Sequence, residues 1–147
     1  MSEQLYNERI VALARAKEGA GRLEQPTVTV DCDNPLCGDR IQLDLRVEDG
    51  KVEEIGHKTR GCILTQAGAS LIARLAPGHD ARALAEFEAA ARAVLAGPSD
   101  LPPEWAELEV FAPVRTVRSR QDCVLLPFRA LARALALAAV QEPKPGG

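Results

Sequence analysis

NPLCGDRIQLDLRVEDGKVEEIGHKTRGC, residues 34–62, is the stretch that decides the fold. Within it Ile41, Leu43, Leu45 and Val47 alternate with Gln42, Asp44 and Arg46, the period of a strand with one buried face. Glu48-Asp49-Gly50-Lys51 reads as a tight turn in which glycine supplies a positive φ. Val52 to Lys58 then returns as the second hairpin arm. Upstream, Val28, Val30 and Cys32 alternate with polar residues and predict one more short strand. The expectation is a small three-stranded antiparallel sheet with one wet face.

Helical patterns flank this sheet. Leu5, Tyr6, Ile10 and Leu13 recur at helical spacing and predict an N-terminal amphipathic helix to about Lys17, broken by Gly19, Gly21 and Pro26. After Gly61, Leu64, Gly68, Leu71, Ile72 and Leu75 form one apolar stripe stopped by Pro77-Gly78. Asp80 is placed to cap a helix carrying Leu84, Phe87, Ala91, Val94 and Leu95, ended by Gly97-Pro98. Pro102-Pro103 opens a short turn holding Trp105 and Leu108, either core or a partner patch with Phe111. A last helix runs from near Cys123 to about Val140, with Pro127 in its first turn or at a kink. Strands followed by helices make this an α+β chain, read as one domain over 1–141 with a disordered tail at 142–147.

Composition narrows the function. A length of 147 residues with 46% apolar content fills one core. A net charge of −3 and 3% aromatic residues offer neither the basic stripe nor the stacking platforms of a nucleic-acid surface. Met1-Ser2-Glu3-Gln4 has no apolar signal region, and no stretch is read as approaching membrane-spanning length. The expected location is cytoplasmic, where thiols stay reduced and clustered cysteines lean towards metal or catalysis.

The chemistry sits on Cys37, Cys62 and Cys123, with Asp39 two residues after the first. Each cysteine is read at an element boundary: Cys37 in the loop before the hairpin, Cys62 and Cys123 at helix starts. Helix N-termini favour thiolate, the form that binds metal and attacks persulfide, and Arg60 and Arg120 push the same way. Asp39 is either a turn residue or a hard oxygen ligand completing a thiolate shell. Cys32 continues a strand alternation and reads as a packed thiol. His57 and His79 read as surface residues or further ligands, and the run Arg115, Arg118, Arg120 as a solvated face.

These motifs resemble a known family. N-P-L-C-G-D, then D-G-K-V leading to K-T-R-G-C, then R-S-R-Q-D-C, together with an L-Y-N-E opening, are similar to the IscU/SufU/NifU-N iron–sulfur assembly proteins. The resemblance implies a metal or cluster site at Cys37, Asp39, Cys62 and Cys123, holding zinc or a [2Fe-2S] cluster. It implies sulfur delivered from a pyridoxal-phosphate cysteine desulfurase to Cys62 or Cys37, and downstream iron–sulfur acceptor proteins as recipients. Such a chain is a sulfur acceptor or scaffold, sulfurtransferase-like at most, with no nucleic-acid or membrane partner. Pro77 to Leu101 looks like the SufU insertion, and Arg120, three before Cys123, matches the SufU arginine, so the SufU-like branch with its SufS-like desulfurase is the nearer. Two departures stand: Asp122 occupies the position of the IscU histidine, and Arg118 that of a SufU proline. The alternative is a structural zinc-binding interaction module without sulfur transfer.

Overall fold

A computed structural model describes residues 7–141. Leu5, Tyr6 and the tail expected at 142–147 lie outside the described residues. Helix α1 (Glu8–Ala16) starts where the Asn7 side chain accepts the Ile10 amide at 3.0 Å. Three strands follow, β1 (Val28–Asn34), β2 (Asp39–Glu48) and β3 (Lys51–Arg60), antiparallel in the order β1-β2-β3. Helices α2 (Ile63–Leu75) and α3 (Ala81–Ala96), a 3₁₀ segment (Pro103–Thr116) and α4 (Arg118–Gln141) complete the chain. The predicted α+β order and three-stranded antiparallel sheet are both present.

Register explains which faces are buried. Val30, Leu43 and His57 lie side by side, as do Val28, Leu45 and Ile55, because antiparallel partners share a face. That face packs on α4 and α2. In the hairpin turn Asp49 (φ 53°) and Gly50 (φ 76°) are both left-handed, the two-residue geometry whose twist matches the strands.

The opposite face is not simply wet. Asp44, expected on the polar side, is fully buried there, accepting from Arg22 Nε at 2.8 Å, the Leu23 amide at 3.0 Å and the Thr29 hydroxyl at 2.6 Å. The segment after α1 causes this. Its Gly19 and Gly21 exchange backbone hydrogen bonds with His57, covering the β3 edge. It then crosses Gly56, where a Cβ would lie 2.6 Å from the Gly21 carbonyl oxygen. Three carboxylate partnerships outweigh burial, and Asp44 is held below the usual carboxylate range.

His57 is corrected from surface residue to core. It is 3% exposed; its Nε2 donates to the Glu18 carbonyl at 2.8 Å, leaving Nδ1 to accept from the Thr59 hydroxyl at 2.8 Å. Burial pushes its pKa down, against a smaller opposing pull from Glu18. The stability this neutral histidine contributes is complete above the unfolded value of about 6.5 and declines as pH falls towards the lower folded value. Thermal midpoints should therefore drop between about pH 7 and pH 5, with a shallower slope in His57→Gln; equal slopes would contradict the assignment.

Two helical expectations need correction. The stretch after Pro102 is no short turn but 14 residues of 3₁₀ helix, burying Trp105, Leu108, Phe111 and Val114 at every third position. Helix α4 begins five residues before Cys123, so Pro127 lies mid-helix and lends no amide to the Cys123 carbonyl. Gly68 matches it: a Cβ there would stand 2.8 Å from the Val124 carbonyl oxygen, so only a bare residue lets α2 and α4 approach this closely. By length and composition α4 is long and apolar enough to cross a membrane, contrary to the sequence reading. Val124, Leu126, Phe128, Leu131 and Ala134 lie instead in the protein core, while Leu137 and Val140 near its end are exposed.

Candidate metal centre

The site forms where the β1–β2 connection meets the starts of α2 and α4. Asn34 ends β1 and builds the connection: its carbonyl accepts the Cys37 and Gly38 amides at 3.2 and 2.8 Å, and its Oδ1 accepts the Leu36 amide at 3.3 Å. Gly38 takes φ +77°, turning the chain so that Asp39 opens β2 opposite Asn34. Cys37 is left exposed at the tip, with Asn34 Nδ2 donating to its sulfur at 3.6 Å. Leu36 beside it is 89% exposed.

Cys37, Asp39 and Cys123 bring their ligand atoms within 4.8 Å of one another. Tetrahedral zinc with sulfur at 2.3 Å needs ligand atoms about 3.8 Å apart, so modest closure suffices, and two thiols plus a carboxylate are suitable donors. Cys62 is not part of that trio. It holds the N-cap position of α2 with extended backbone, 3.6 Å from the Thr65 hydroxyl. Thr65 in turn donates to Asp39 Oδ2 at 2.9 Å, so Cys62 is one side chain removed from the carboxylate.

The thiols differ sharply. Burial alone would raise Cys62, but the Thr65 and Leu64 amides and Cys123 outweigh it, and its pKa is lowered. Cys123 behaves oppositely and corrects the sequence reading: it stands in the second turn of α4, buried, and burial together with Asp39 and Cys62 raises its pKa. Only Cys62 gains from a helix terminus. Cys32, half-buried on β1 beside Ile41, sits 3.6 Å from Arg133 Nη1, as a packed strand thiol. Arg120 lies in the first turn of α4, three residues before Cys123. Asp122 pairs with Arg129 at 2.9 Å. All four cysteines are free thiols.

Sequence reasoning gave no role to Asn34, Gly61 or Thr65. A Cβ at Gly61 would lie 2.8 Å from Asp39 Oδ1, so the residue before Cys62 must be bare for the carboxylate to fit. Thr65, three after Cys62, was detectable as one of two polar residues, with Gln66, in the first turn of an otherwise apolar helix start.

Residues 5–116 match the family described as NifU-like N terminal domain. The iron-sulfur cluster assembly scaffold protein IscU of Thermotoga maritima is 28% identical over 133 residues, covering 90% of this chain and 94% of that protein. The zinc-dependent sulfurtransferase SufU of Bacillus subtilis is 25% identical over 135 residues, covering 91% of each. A NifU-like N-terminal structure from Brucella abortus superposes with a TM-score of 0.87 at 30% identity, covering 95% of this chain and 97% of that one. A putative SUF scaffold from Fervidobacterium islandicum has the same fold, with a TM-score of 0.85 at 23% identity over 92% of this chain and 99% of that one.

Proposed function

Since the chain belongs to the NifU-like N-terminal domain family, we propose that it assembles iron–sulfur clusters, accepting persulfide sulfur from a cysteine desulfurase. Cys37, Asp39, Cys62 and Cys123 hold the nascent [2Fe-2S] cluster as cargo, and downstream acceptor proteins receive it. The observation that carries this reading is the convergence of Cys37, Asp39 and Cys123 within 4.8 Å, at the foot of the helix capped by Cys62. Four free thiols suit the reducing cytoplasm, and residues 1–141 act as one domain.

Exposure decides the order of events. Cys37 is the thiol a partner reaches first, on a loop whose neighbour Leu36 offers apolar surface. Its thiolate attacks the terminal sulfur of the desulfurase persulfide, a sulfur–sulfur bond forms to Cys37, and the donor cysteine leaves as thiolate. Asn34 Nδ2 steadies the attacking sulfur. Cys62, with its lowered pKa, is the second acceptor, while buried Cys123 serves as a ligand. Arg120 adds positive charge beside the site. Conversion of the transferred sulfur to sulfide takes two electrons from an external thiol reductant.

Zinc, when bound by the same four residues, keeps the thiols deprotonated and shielded from oxidation. The SufU relative, named zinc-dependent, supports this resident state on the SufU-like branch, with a SufS-like, pyridoxal-phosphate desulfurase as partner. A purely structural zinc module is disfavoured: Cys123 belongs to the apolar core and Cys62 packs against it, but most of that core, from Ile10 to Ala138, comes from residues that are not ligands, and a chain of this length buries such a core without needing a metal. The test is persulfide mapping by mass spectrometry after mixing the protein with a desulfurase and cysteine. An added sulfur is expected on Cys37 first and on Cys62, never on Cys32; no added sulfur on any cysteine would remove the transfer step.

A further inference from the structure

Thr65 is fully buried in the first turn of α2, where a threonine hydroxyl commonly bonds back to its own helix. Here it reaches 26 residues back along the chain, to Asp39 Oδ2 at 2.9 Å. A hydroxyl has one hydrogen, so with that hydrogen committed to Asp39, Thr65 meets Cys62 Sγ at 3.6 Å as an acceptor. The second carboxylate oxygen is located by Gly61, whose missing side chain leaves room for Oδ1 at 2.8 Å from a Cβ position. Asp39 itself is 5% exposed, so water offers little replacement for a lost partner.

We infer that Thr65 is a positioning residue: it pins Asp39 by Oδ2 and leaves Oδ1 for a metal, fixing the start of β2 to the first turn of α2. The inference deepens the metal-site reading above and rests on it. Such outer hydrogen-bond partners orient a ligand and strengthen binding about tenfold to a hundredfold. Thr65 is fully buried and acts through Asp39.

The probe is cobalt(II), titrated anaerobically into the full chain and read by sulfur-to-cobalt charge-transfer absorption. Thr65→Val keeps the side-chain shape and removes the hydroxyl, and should bind cobalt about tenfold to a hundredfold more weakly than wild type. Thr65→Ser restores the hydroxyl and should bind as wild type does. In an Asp39→Ala background, Thr65→Val should add no further loss, because the residue through which it acts is gone. A merely structural threonine would predict the same loss in both backgrounds, which overturns the inference, as does wild-type affinity in Thr65→Val. If circular dichroism shows Thr65→Val unfolded, Thr65→Ala takes its place, and a Ser variant as weak as Ala overturns the inference equally. Wild type that takes up no cobalt would withdraw the metal-site reading and this inference together, whereas an unaffected Thr65→Val withdraws this inference alone.

Discussion

Replacing Cys37, Cys62 or Cys123 singly with Ser is expected to weaken metal binding by more than about a hundredfold, while Cys32→Ser leaves it unchanged. The floor follows from outer-shell changes, which already cost about 10–100-fold; deleting a directly bound thiolate must exceed them. The three positions report different things. Cys37 and Cys123 belong to the trio within 4.8 Å, so their loss tests the site the geometry brings together. Cys62 lies one residue out, behind Thr65, so Cys62→Ser tests whether the shell closes to four ligands. Cys32 stands in the strand row with Ile41 and Thr59, and its replacement should alter only local packing. Equal loss from Cys32→Ser, measured by metal content after equilibration with competing chelator, would mean the ligand set is wrong.

Trp105→Ala should destabilise the protein by about 3–5 kcal/mol without removing any ligand. Trp105 is 2% exposed and stacks on Phe87 at 4.5 Å between ring centroids, while Phe87 meets Phe128 edge-on at 5.0 Å. This chain of rings joins the 3₁₀ segment to α3 and α4, so truncation at Trp105 opens a cavity between three elements. Urea unfolding of the metal-free protein gives the value directly; a loss below about 1 kcal/mol would show the 3₁₀ segment to be a peripheral strap.

The sheet was legible because its alternation is regular and its turn carries Asp49-Gly50, a local signal sufficient to set register. The cap at Asp80 and the helix start at Cys62 were legible for the same reason: each depends on residues within one turn. Burial of Asp44 and His57 was not, since it comes from the segment around Gly19–Leu23 folding over a strand far along the chain. The start of α4 was missed because Arg118 to Asp122 is polar, so helical periodicity has no apolar residue to report before Cys123. The 3₁₀ segment carried a signal in Trp105, Leu108, Phe111 and Val114, a period of three that a helical period of 3.6 does not register. The site residues were legible by type and motif, but the inequality of Cys62 and Cys123 needed depth, which spacing does not encode.

We propose that this chain holds an iron–sulfur cluster on Cys37, Asp39, Cys62 and Cys123. The most direct measurement is iron and acid-labile sulfide content after anaerobic incubation with ferrous iron, cysteine, a thiol reductant and a cysteine desulfurase. Equal amounts of iron and sulfide are expected on the wild-type chain, with charge-transfer absorption in the visible, and neither on Cys37→Ser or Cys123→Ser. Wild-type protein that retains zinc or nothing, with no sulfide above the level of those variants, would contradict it.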